Sequence, residues 1–429
     1  MSDGVVVIGA GLAGLSAAYH IGKGCQVFEA EDAPGGLLRT REKGGYSFDY
    51  TGHLLHLKDP YVKDLVTGLL AGNLAEHKRR AAIYSKGVFT GYPFQANTYG
   101  LPGETAKECL DGFMTAPGRG GGVLPPGNFR DWILHNFGEG IARHFMLPYN
   151  QKLWQYPLGE MSVDGIAPYV PIPTADEVRK GATGEGAHGL GYNASFYYPE
   201  RGGIYSLVLA LIPHVKDLSL GQKALEIDTE RKTVVFDTGY TAWYDRLVST
   251  MPLPELVRII KDVPEDIKEA AARLRYVSVY DVNLGIARAD VSPYHWMYFP
   301  EPEFVFYRAG SLNNFSGYSA PQGCSAMYVE VSHTPDTRMD EGRLTGEVLA
   351  GLVRAGILRD GDEVPVKDVV DIKYGYVVFD SHRAKAVPAI MEFLAEKGIT
   401  SIGRYGAWEY SSMEEAVLEG KRAAESLSR

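Results

Sequence analysis

The segment Val5–Ala18 (VVVIGAGLAGLSAA) constrains the fold more than any other part of the chain. Its first four apolar residues predict a short buried strand, and Gly9, Gly11 and Gly14 follow in a GxGxxG pattern before a helical stretch. In such a unit the first glycine permits a tight turn, the second lets the backbone approach a pyrophosphate, and the third lets the helix pack on the strand. The helix N-terminus then offers unpaired N–H groups to phosphate oxygens.

A second strand followed by an acid makes this pattern more specific. The sequence CQVFEAE predicts that strand, and Glu29 lies about 20 residues after Gly9, where a carboxylate accepts hydrogen bonds from ribose hydroxyls. A glycine motif alone would be a weak signal in a chain with 50 glycines. Strand, glycines, helix, strand and acid in this order predict a dinucleotide-binding domain.

The next turn favours a flavin over a nicotinamide. Gly35 and Gly36, followed by Arg39, resemble the second glycine pair of the FAD-binding amine oxidase superfamily, whose loop covers the pyrophosphate and the ribityl chain. An ordinary PGG turn after a strand is the alternative. FAD is therefore the cofactor that we expect.

Length and composition exclude several other classes. A chain of 429 residues with 45% hydrophobic residues predicts two or three domains, and a net charge of −10 without a long basic run argues against nucleic acid and anionic membrane as partners. Because the first strand begins at Val5 and no run reaches about 18 apolar residues, we expect no leader, no membrane span and a cytoplasmic protein. The cysteines Cys25, Cys109 and Cys324 are scattered and predict neither disulfides nor a metal site.

Tyrosine is unusually frequent, with 27 tyrosines against 16 phenylalanines. Because each hydroxyl requires a partner when buried, this favours a polar cleft of the size of a sugar, with surface tyrosines as the alternative. Three segments combine aromatic rings with amides that can contact a base or a sugar. Their residues are Tyr92, Gln95 and Asn97, then Tyr149, Asn150, Trp154 and Tyr156, then Tyr192, Asn193 and Tyr198.

Single charged or polar residues mark further candidates. Arg308 lies in a strand-like apolar run, where a guanidinium usually meets an anion such as phosphate; an ion pair with Asp or Glu is the alternative. Gly52 permits close approach to a flat ligand, and the adjacent His53 is either a functional or a structural histidine.

Two longer patterns concern the fold. Residues 129–149 predict one helix, and residues 223–253 predict a β-meander that returns to the nucleotide-binding sheet. Near the C-terminus, a strand at 399–402 leads through Arg404 and Tyr410 to a helix that begins near Met413, whose N-terminus is expected to face the flavin ring.

These motifs together resemble the flavin-dependent UDP-galactopyranose mutases, especially their eukaryotic-type branch, within the amine oxidase and protoporphyrinogen oxidase superfamily. The segments that carry the resemblance are TGHLLH, YPFQANTY, FMLPYNQKLW, GYNASFYYPERGG, WMYFPEPEFVFYR, KYGYVVFDSHR and GRYGAWEY. The resemblance implies an α/β fold in which a Rossmann-like FAD-binding domain of the glutathione-reductase type carries an inserted helical domain and an antiparallel β-sheet substrate domain. The expected parts, in chain order, are FAD-binding 1–80, substrate-sheet strand 81–98, mainly helical 99–190, FAD-binding 191–275, antiparallel sheet 276–385 and FAD-binding 386–429.

The resemblance also implies a reaction. Reduced FAD attacks the anomeric carbon of a UDP-sugar through N5, and the N5–sugar adduct allows pyranose and furanose forms to interconvert without net redox change. NADPH or NADH is a candidate external reductant, and a homo-oligomer is a candidate assembly. For catalysis the implied residues are Arg308, His53, Tyr298, Tyr376 and Tyr410. For the substrate they are Tyr92, Gln95, Asn97, Asn150, Trp154, Tyr169 and Asn193. For the cofactor they are Gly9, Gly11, Gly14, Glu29, Gly35, Gly36, Arg39, Gly52, Gly403, Arg404 and Met413.

One position departs from the family pattern. Mutases place a second diphosphate arginine on the loop after the Trp154 motif, whereas this chain has Tyr169 there. Either Arg179 or Arg201 replaces that arginine, or the substrate differs. The alternative functions are therefore an FAD-dependent oxidoreductase of the amine oxidase or protoporphyrinogen oxidase type and a flavin-binding protein without catalysis.

Overall fold

The computed structural model describes residues 4–119, 127–185 and 194–427. Within these ranges the chain forms 19 strands and 12 helices. The strands are β1 Val5–Ile8, β2 Cys25–Phe28, β3 Thr40–Lys43, β4 Tyr46–Asp49, β5 Ala75–Lys78, β6 Ala81–Ser85, β7 Val88–Gly91, β8 Ser195–Tyr198, β9 Leu218–Ser219, β10 Ala224–Asp228, β11 Thr233–Phe236, β12 Thr241–Trp243, β13 Arg246–Ser249, β14 Tyr276–Ile286, β15 Trp296–Tyr298, β16 Arg308–Ser311, β17 Ser325–His333, β18 Val366–Val377 and β19 Ile399–Ser401. The helices are α1 Leu12–Ile21, α2 Pro60–Leu70, α3 Gly103–Thr115, α4 Phe129–Ile141, α5 Leu147–Trp154, α6 Ala175–Thr183, α7 Tyr205–Leu211, α8 Leu253–Ile259, α9 Glu265–Ala272, α10 Glu341–Arg354, α11 Ser381–Glu396 and α12 Met413–Leu427.

A five-stranded parallel sheet in the order β19-β13-β1-β2-β9 forms the nucleotide-binding half of the fold. Ile8 pairs with Phe28 on one side and with Ser249 on the other, and Ser249 pairs with Ser401. The carboxyl ends of these strands therefore lie at one edge of the sheet, which is where parallel α/β sheets bind ligands. The predicted Rossmann-like domain is confirmed.

A second sheet of seven strands has the order β18-β14-β17-β16-β15-β6-β7. Its neighbours are antiparallel except β15 and β6, which run parallel. Helices α3 to α6 lie between β7 and β8 in the chain, and their apolar side chains pack with Ile83 of this sheet in one core. The predicted fold class, an FAD-type α/β domain with a large sheet domain, is confirmed.

The single helix predicted at 129–149 is interrupted. Helix α4 ends at Ile141, a π-helical turn spans Ala142–Met146, and α5 begins at Leu147. Gly138 has a φ of 71°, and a Cβ there would lie 2.0 Å from the carbonyl oxygen of Gly112 in α3. Close packing of α4 on α3 therefore overrides the regular helix, and it sets the direction of α5.

The β-meander predicted at 223–253 is present, but only its last strand joins the nucleotide-binding sheet. Strands β10, β11 and β12 form a three-stranded antiparallel sheet of their own, and only β13 joins the parallel sheet, beside β1. A hydrophobic pattern indicates alternation, but it does not indicate which neighbour each strand selects.

Candidate active site

A cavity of about 470 Å³ lies between the carboxyl edge of the parallel sheet and the seven-stranded sheet. Fifteen of the residues predicted for catalysis, substrate or cofactor line it. They are Gly35, Gly52, His53, Tyr92, Gln95, Asn150, Trp154, Tyr169, Tyr298, Arg308, Tyr376, Gly403, Arg404, Tyr410 and Met413. These residues come from chain segments that are hundreds of positions apart, so the fold brings together most of the predicted site.

The three glycines of the first turn have different surroundings. A Cβ on Gly9 would lie 2.2 Å from Oγ1 of Thr250, and a Cβ on Gly14 would lie 2.0 Å from the carbonyl oxygen of Gly9. A Cβ on Gly11, in contrast, meets no atom within 4 Å. Protein atoms therefore exclude side chains at the first and third glycines, whereas the second faces open space, as close approach of a pyrophosphate requires.

Other groups around this turn also fit a dinucleotide. Helix α1 has no side-chain hydrogen bond at its N-cap, so its first N–H groups are available to phosphate. Glu29 accepts hydrogen bonds from the N–H groups of Ala10 (2.7 Å) and Glu31 (3.0 Å), which fixes its carboxylate at the end of β2. Nε of Arg39 is buried without a hydrogen-bond partner, although Arg39 also donates to the carbonyl of Ala33. The charge, the free N–H groups and the open space at this turn fit a dinucleotide such as FAD.

Gly36 lies at the same turn: a Cβ on it would be 3.4 Å from Cα of Gly11. Gly403 follows β19, and a Cβ on it would be 3.0 Å from Cβ of Ala13 in α1. Met413 begins α12, as predicted, and lines the cavity. The two ends of the chain therefore meet at the first turn of α1.

Arg308 forms a bidentate ion pair with Glu330. Nε donates to Oε2 at 2.9 Å and Nη2 donates to Oε1 at 2.7 Å, and the two residues are direct partners across β16 and β17. The Glu330 side chain is fully buried, whereas that of Arg308 is 21% exposed towards the cavity. Of the two interpretations of Arg308, the structure shows the ion pair with an acidic residue, because a carboxylate from the neighbouring strand lies directly opposite it. The guanidinium also lines the cavity, and its contact with a ligand phosphate stays a prediction.

Tyrosines surround this ion pair. Tyr307 donates its hydroxyl to Glu330 and lies 3.2 Å from the hydroxyl of Tyr376. The hydroxyl of Tyr298 accepts a hydrogen bond from Nε1 of Trp296 at 2.8 Å. Burial raises the pKa of Tyr298, and it raises the pKa of Tyr376 to about 12, so both hydroxyls are neutral donors at physiological pH.

The amides and the indole predicted for the substrate have specific partners. Asn150 donates to the carbonyl of Met146 at 2.7 Å, and Gln95 donates to the carbonyl of Pro171 at 2.6 Å, so the protein already fixes both side chains. Nε1 of Trp154 is buried without a hydrogen-bond partner. Asn97 does not line the cavity, because it donates to the carbonyl of Pro93 and caps a short 3₁₀ turn. Asn193 lies outside the described residues.

The segment that carries His53 packs against Asp281 and Tyr328 of the seven-stranded sheet. Thr51 has a φ of 69°, an unusual value for a β-branched residue, and its N–H donates to Oδ2 of Asp281 at 3.0 Å. A Cβ on Gly52 would lie 2.3 Å from the hydroxyl of Tyr328, so this position requires glycine. Burial, together with the charges of Arg404 and Arg308, lowers the pKa of His53 to about 4, so its ring is neutral near pH 7.

Asp281 is expected to make the free energy of unfolding depend on pH. Burial raises its pKa to about 8, although the hydrogen bond from Thr51 opposes this. Because the folded state binds a proton that the unfolded state has lost, the contribution of protonated Asp281 to stability is fully present below about pH 4 and is lost as pH rises towards 8. Asp281→Asn, which resembles the protonated form, should remove this loss and be more stable than the parent at pH 8.

Urea unfolding at pH 5 and pH 8 measures the effect. The exposed Asp336→Asn is the control and should leave the pH dependence unchanged. Asp49, whose pKa burial raises to about 6, contributes a smaller slope of the same sign in both variants. An Asp281→Asn protein that loses as much stability as the parent between these pH values would contradict the assignment.

Neither arginine proposed to replace the one absent at position 169 lies in the cavity. Arg179 is exposed on α6, and Arg201 donates to the hydroxyl of Tyr318 at 2.8 Å. Tyr169 itself lines the cavity and donates its hydroxyl to the carbonyl of Tyr410 at 3.2 Å. The expectation that Arg179 or Arg201 substitutes is therefore wrong.

Sequence reasoning missed Glu330, Asp281, Tyr307 and Tyr328. Glu330 is the one acid in the buried strand SAMYVEVSH, and an acid among apolar residues indicates a buried cation nearby. That signal was available, although it does not identify the partner. Asp281 lies in an equally buried strand and gives a similar signal.

Within residues 4–119, 127–185 and 194–427, no group of three or more His, Cys, Asp or Glu side chains could hold a metal ion. No helix in the same ranges is both long enough and apolar enough to cross a membrane.

Comparison with family models gives two matches. A model for flavin-containing amine oxidoreductases matches residues 133–428, and a model for an NAD(P)-binding Rossmann-like domain matches residues 7–69. Phytoene dehydrogenase from Streptomyces griseus is 36% identical over 121 residues. That match covers 27% of this chain and 24% of the dehydrogenase, so it spans about a quarter of that relative.

Solved structures resemble the chain over nearly its whole length. A structure of reduced UDP-galactopyranose mutase superposes with a TM-score of 0.93 at 29% identity, covering 99% of this chain and 95% of the other. A protein assigned as a protoporphyrinogen oxidase from Exiguobacterium superposes with a TM-score of 0.76 at 17% identity, covering 100% and 99%. Cyclohexylamine oxidase from Brevibacterium oxydans gives 0.67 at 15%, covering 100% of both chains. The last two likenesses concern the fold alone.

Proposed function

This chain belongs to the family of flavin-containing amine oxidoreductases, and we propose that it is a flavin-dependent nucleotide-sugar mutase. In this proposal it interconverts the pyranose and furanose forms of a UDP-sugar of the UDP-galactose type, without net oxidation. The observation that carries the proposal is that two arginines and several tyrosine hydroxyls line the cavity into which the dinucleotide turn opens. The likeness to UDP-galactopyranose mutase supports it.

The charges in the cavity favour an anionic substrate over an amine. Arg308 and Arg404 both line it, and their charges help to keep His53 neutral. An alkylammonium ion would be repelled by these guanidinium groups, whereas a diphosphate would be attracted. The amine oxidase alternative therefore leaves Arg404, which has no carboxylate partner among the described residues, without a ligand of suitable charge.

FAD, when bound and reduced, supplies a nucleophilic nitrogen for the anomeric carbon of the sugar. The residues of this chain bind and orient the substrate around that chemistry. The guanidinium of Arg308 and the neutral hydroxyls of Tyr298 and Tyr376 donate to the diphosphate as it accumulates negative charge on leaving. Because the protein already fixes these donors, little reorganisation accompanies the step.

Other side chains define the path of the sugar and the base. The indole N–H of Trp154 is a buried donor without a partner in the part of the chain that the structure describes, and we assign it to a sugar hydroxyl or a phosphate oxygen. Gln95 and Tyr92 also line the cavity, and we assign them to the uracil. The apolar side chains of Phe145, Met146 and Leu153 complete the lining and exclude water, which would hydrolyse an activated sugar.

Turnover by the reduced holoenzyme tests the proposal. The flavin is reduced with dithionite under anaerobic conditions, UDP-galactopyranose or its furanose form is added, and the nucleotide sugars are separated by chromatography. We expect interconversion only with reduced flavin and no consumption of reductant beyond the flavin itself. Anaerobic reduction of the flavin by NADPH or NADH examines the proposed physiological reductant.

The competing functions give different results in the same assays. Oxygen consumption with an amine or a porphyrinogen, together with no sugar interconversion, would establish an oxidase. Tight FAD binding with no turnover of any nucleotide sugar would identify a flavin-binding protein without catalysis. Either result would contradict the mutase proposal.

A further inference from the structure

The positive charge of the cavity is not shared equally between its two arginines. Arg308 is neutralised by Glu330, which is fully buried and makes two hydrogen bonds to it. Arg404 makes no ion pair with any carboxylate of the described residues. Its guanidinium donates to the carbonyl oxygens of Ser411 at 3.2 Å and Gly375 at 3.4 Å, which carry no net charge. The uncompensated cation of the cavity is therefore Arg404.

The guanidinium of Arg404 also retains a free donor. Its Nε is buried and has no hydrogen-bond partner among the described residues, and the side chain lines the cavity. A buried charge and a buried donor without partners are both costly, since each has lost its interaction with water. A ligand anion bound in the cavity would satisfy both.

The surroundings of Arg404 connect it to the position where an arginine is absent. The guanidinium lies 4.6 Å from the ring centre of Tyr410 and 5.5 Å from that of Tyr376. Tyr169 packs edge-on against Tyr410, with ring centres 4.6 Å apart, and donates its hydroxyl to the Tyr410 backbone. The residue at 169 therefore supports Tyr410, and Tyr410 in turn packs against Arg404.

We propose that Arg404 supplies the second positive charge that binds the substrate diphosphate, with Tyr169 holding Tyr410 against it. This inference rests on the function proposed above and identifies which cation of that site binds the diphosphate most strongly. Tyr376 lies between the two arginines, because it approaches Arg404 by its ring and is close to the Arg308–Glu330 pair through Tyr307. A diphosphate bound beside Tyr376 would therefore contact both arginines. Arg404 would attract it with a charge that no carboxylate neutralises, whereas the charge of Arg308 is already neutralised by Glu330.

The test compares ligands with and without phosphate on the holoenzyme. UDP, uridine and inorganic pyrophosphate are titrated into the parent, Arg404→Met and Arg404→Lys proteins, with flavin fluorescence or calorimetry as the readout. Loss of one charge-assisted contact should weaken UDP binding by roughly 10- to 100-fold in Arg404→Met. Uridine binding should be unchanged, and Arg404→Lys should recover part of the UDP affinity.

Arg383→Met is the matched control. Arg383 is another half-buried arginine near the C-terminal loop, and it donates to the carbonyl of Trp408 at 2.7 Å and 2.9 Å without lining the cavity. Flavin content and absorbance spectra of all variants show whether the cofactor site is intact. We expect Arg383→Met to bind UDP as the parent does.

The reduction potential of the flavin distinguishes the competing role. If Arg404→Met keeps its UDP affinity while the midpoint potential falls, the charge acts on the flavin and the inference is overturned. If the parent protein does not bind UDP, the proposed function fails, and pyrophosphate then tests Arg404 by itself. Pyrophosphate binding by the parent but not by Arg404→Met would support the inference, and equal behaviour of the two proteins would overturn it.

Discussion

Replacement of Arg308 by alanine is expected to abolish sugar interconversion and to lower the free energy of unfolding by about 3–5 kcal/mol. The stability loss follows from Glu330, whose side chain is fully buried and would remain without its bidentate partner. The activity loss follows from removal of a donor to the leaving diphosphate. Urea unfolding and turnover with reduced flavin measure the two effects separately.

A double variant separates the effect of the unpaired buried charge from the effect on catalysis. In the double variant Arg308→Met with Glu330→Gln, the buried charge is gone, so most of the stability should return while turnover remains absent. The surface pair Arg338–Asp371 is the matched control: Arg338 is 76% exposed, and Arg338→Ala should cost no more than about 1 kcal/mol. An Arg308→Ala protein with normal stability would show that Glu330 is not held by this pair.

Alanine substitutions at Gly11 and Gly14 are expected to have opposite consequences. At Gly14 the new Cβ would lie 2.0 Å from the carbonyl oxygen of Gly9, so α1 must move away from β1 at a cost of about 3 kcal/mol. At Gly11 the backbone is extended and no protein atom lies within 4 Å, so the apoprotein should lose no more than about 1 kcal/mol. The methyl group would instead occupy the space assigned to the pyrophosphate, and FAD affinity should fall by roughly 10- to 100-fold.

Unfolding of the apoproteins and fluorimetric titration with FAD measure these effects. Gly68→Ala is the control, because Gly68 lies in α2 with no atom within 4 Å of its Cβ position. It should leave FAD affinity unchanged and raise the stability by about 0.5–1 kcal/mol, since alanine has the higher helix propensity. Normal FAD affinity in Gly11→Ala would contradict the placement of the pyrophosphate. Loss of apoprotein stability in that variant would show that Gly11 has a packing role like that of Gly14.

The dinucleotide turn is the part of the molecule that its sequence predicts best. Gly14 packs on Gly9 and Glu29 accepts from Ala10 and Glu31, so most contacts of this turn join residues close in the chain and spacing predicts them, although Gly9 also faces the distant Thr250. The helix at 129–149 was predicted less well, because its interruption depends on Gly112 of another helix. Residue type and context indicated several cavity residues one by one, such as Arg308 and His53, but their assignment to one site came from the resemblance, since their segments are far apart in the chain.

The sequence by itself determined that the chain has a Rossmann-like half and that its polar and aromatic motifs together resemble those of one protein family. Only the tertiary structure decided how the charges of that site are distributed. Arg308 is paired because β16 and β17 place it directly opposite Glu330, whereas Arg404 lies on a loop among tyrosine rings. Strand register and loop packing depend on contacts across the whole fold. The local order of residues therefore does not reveal which of the two arginines is paired with a carboxylate of the protein and which is left to bind a ligand anion.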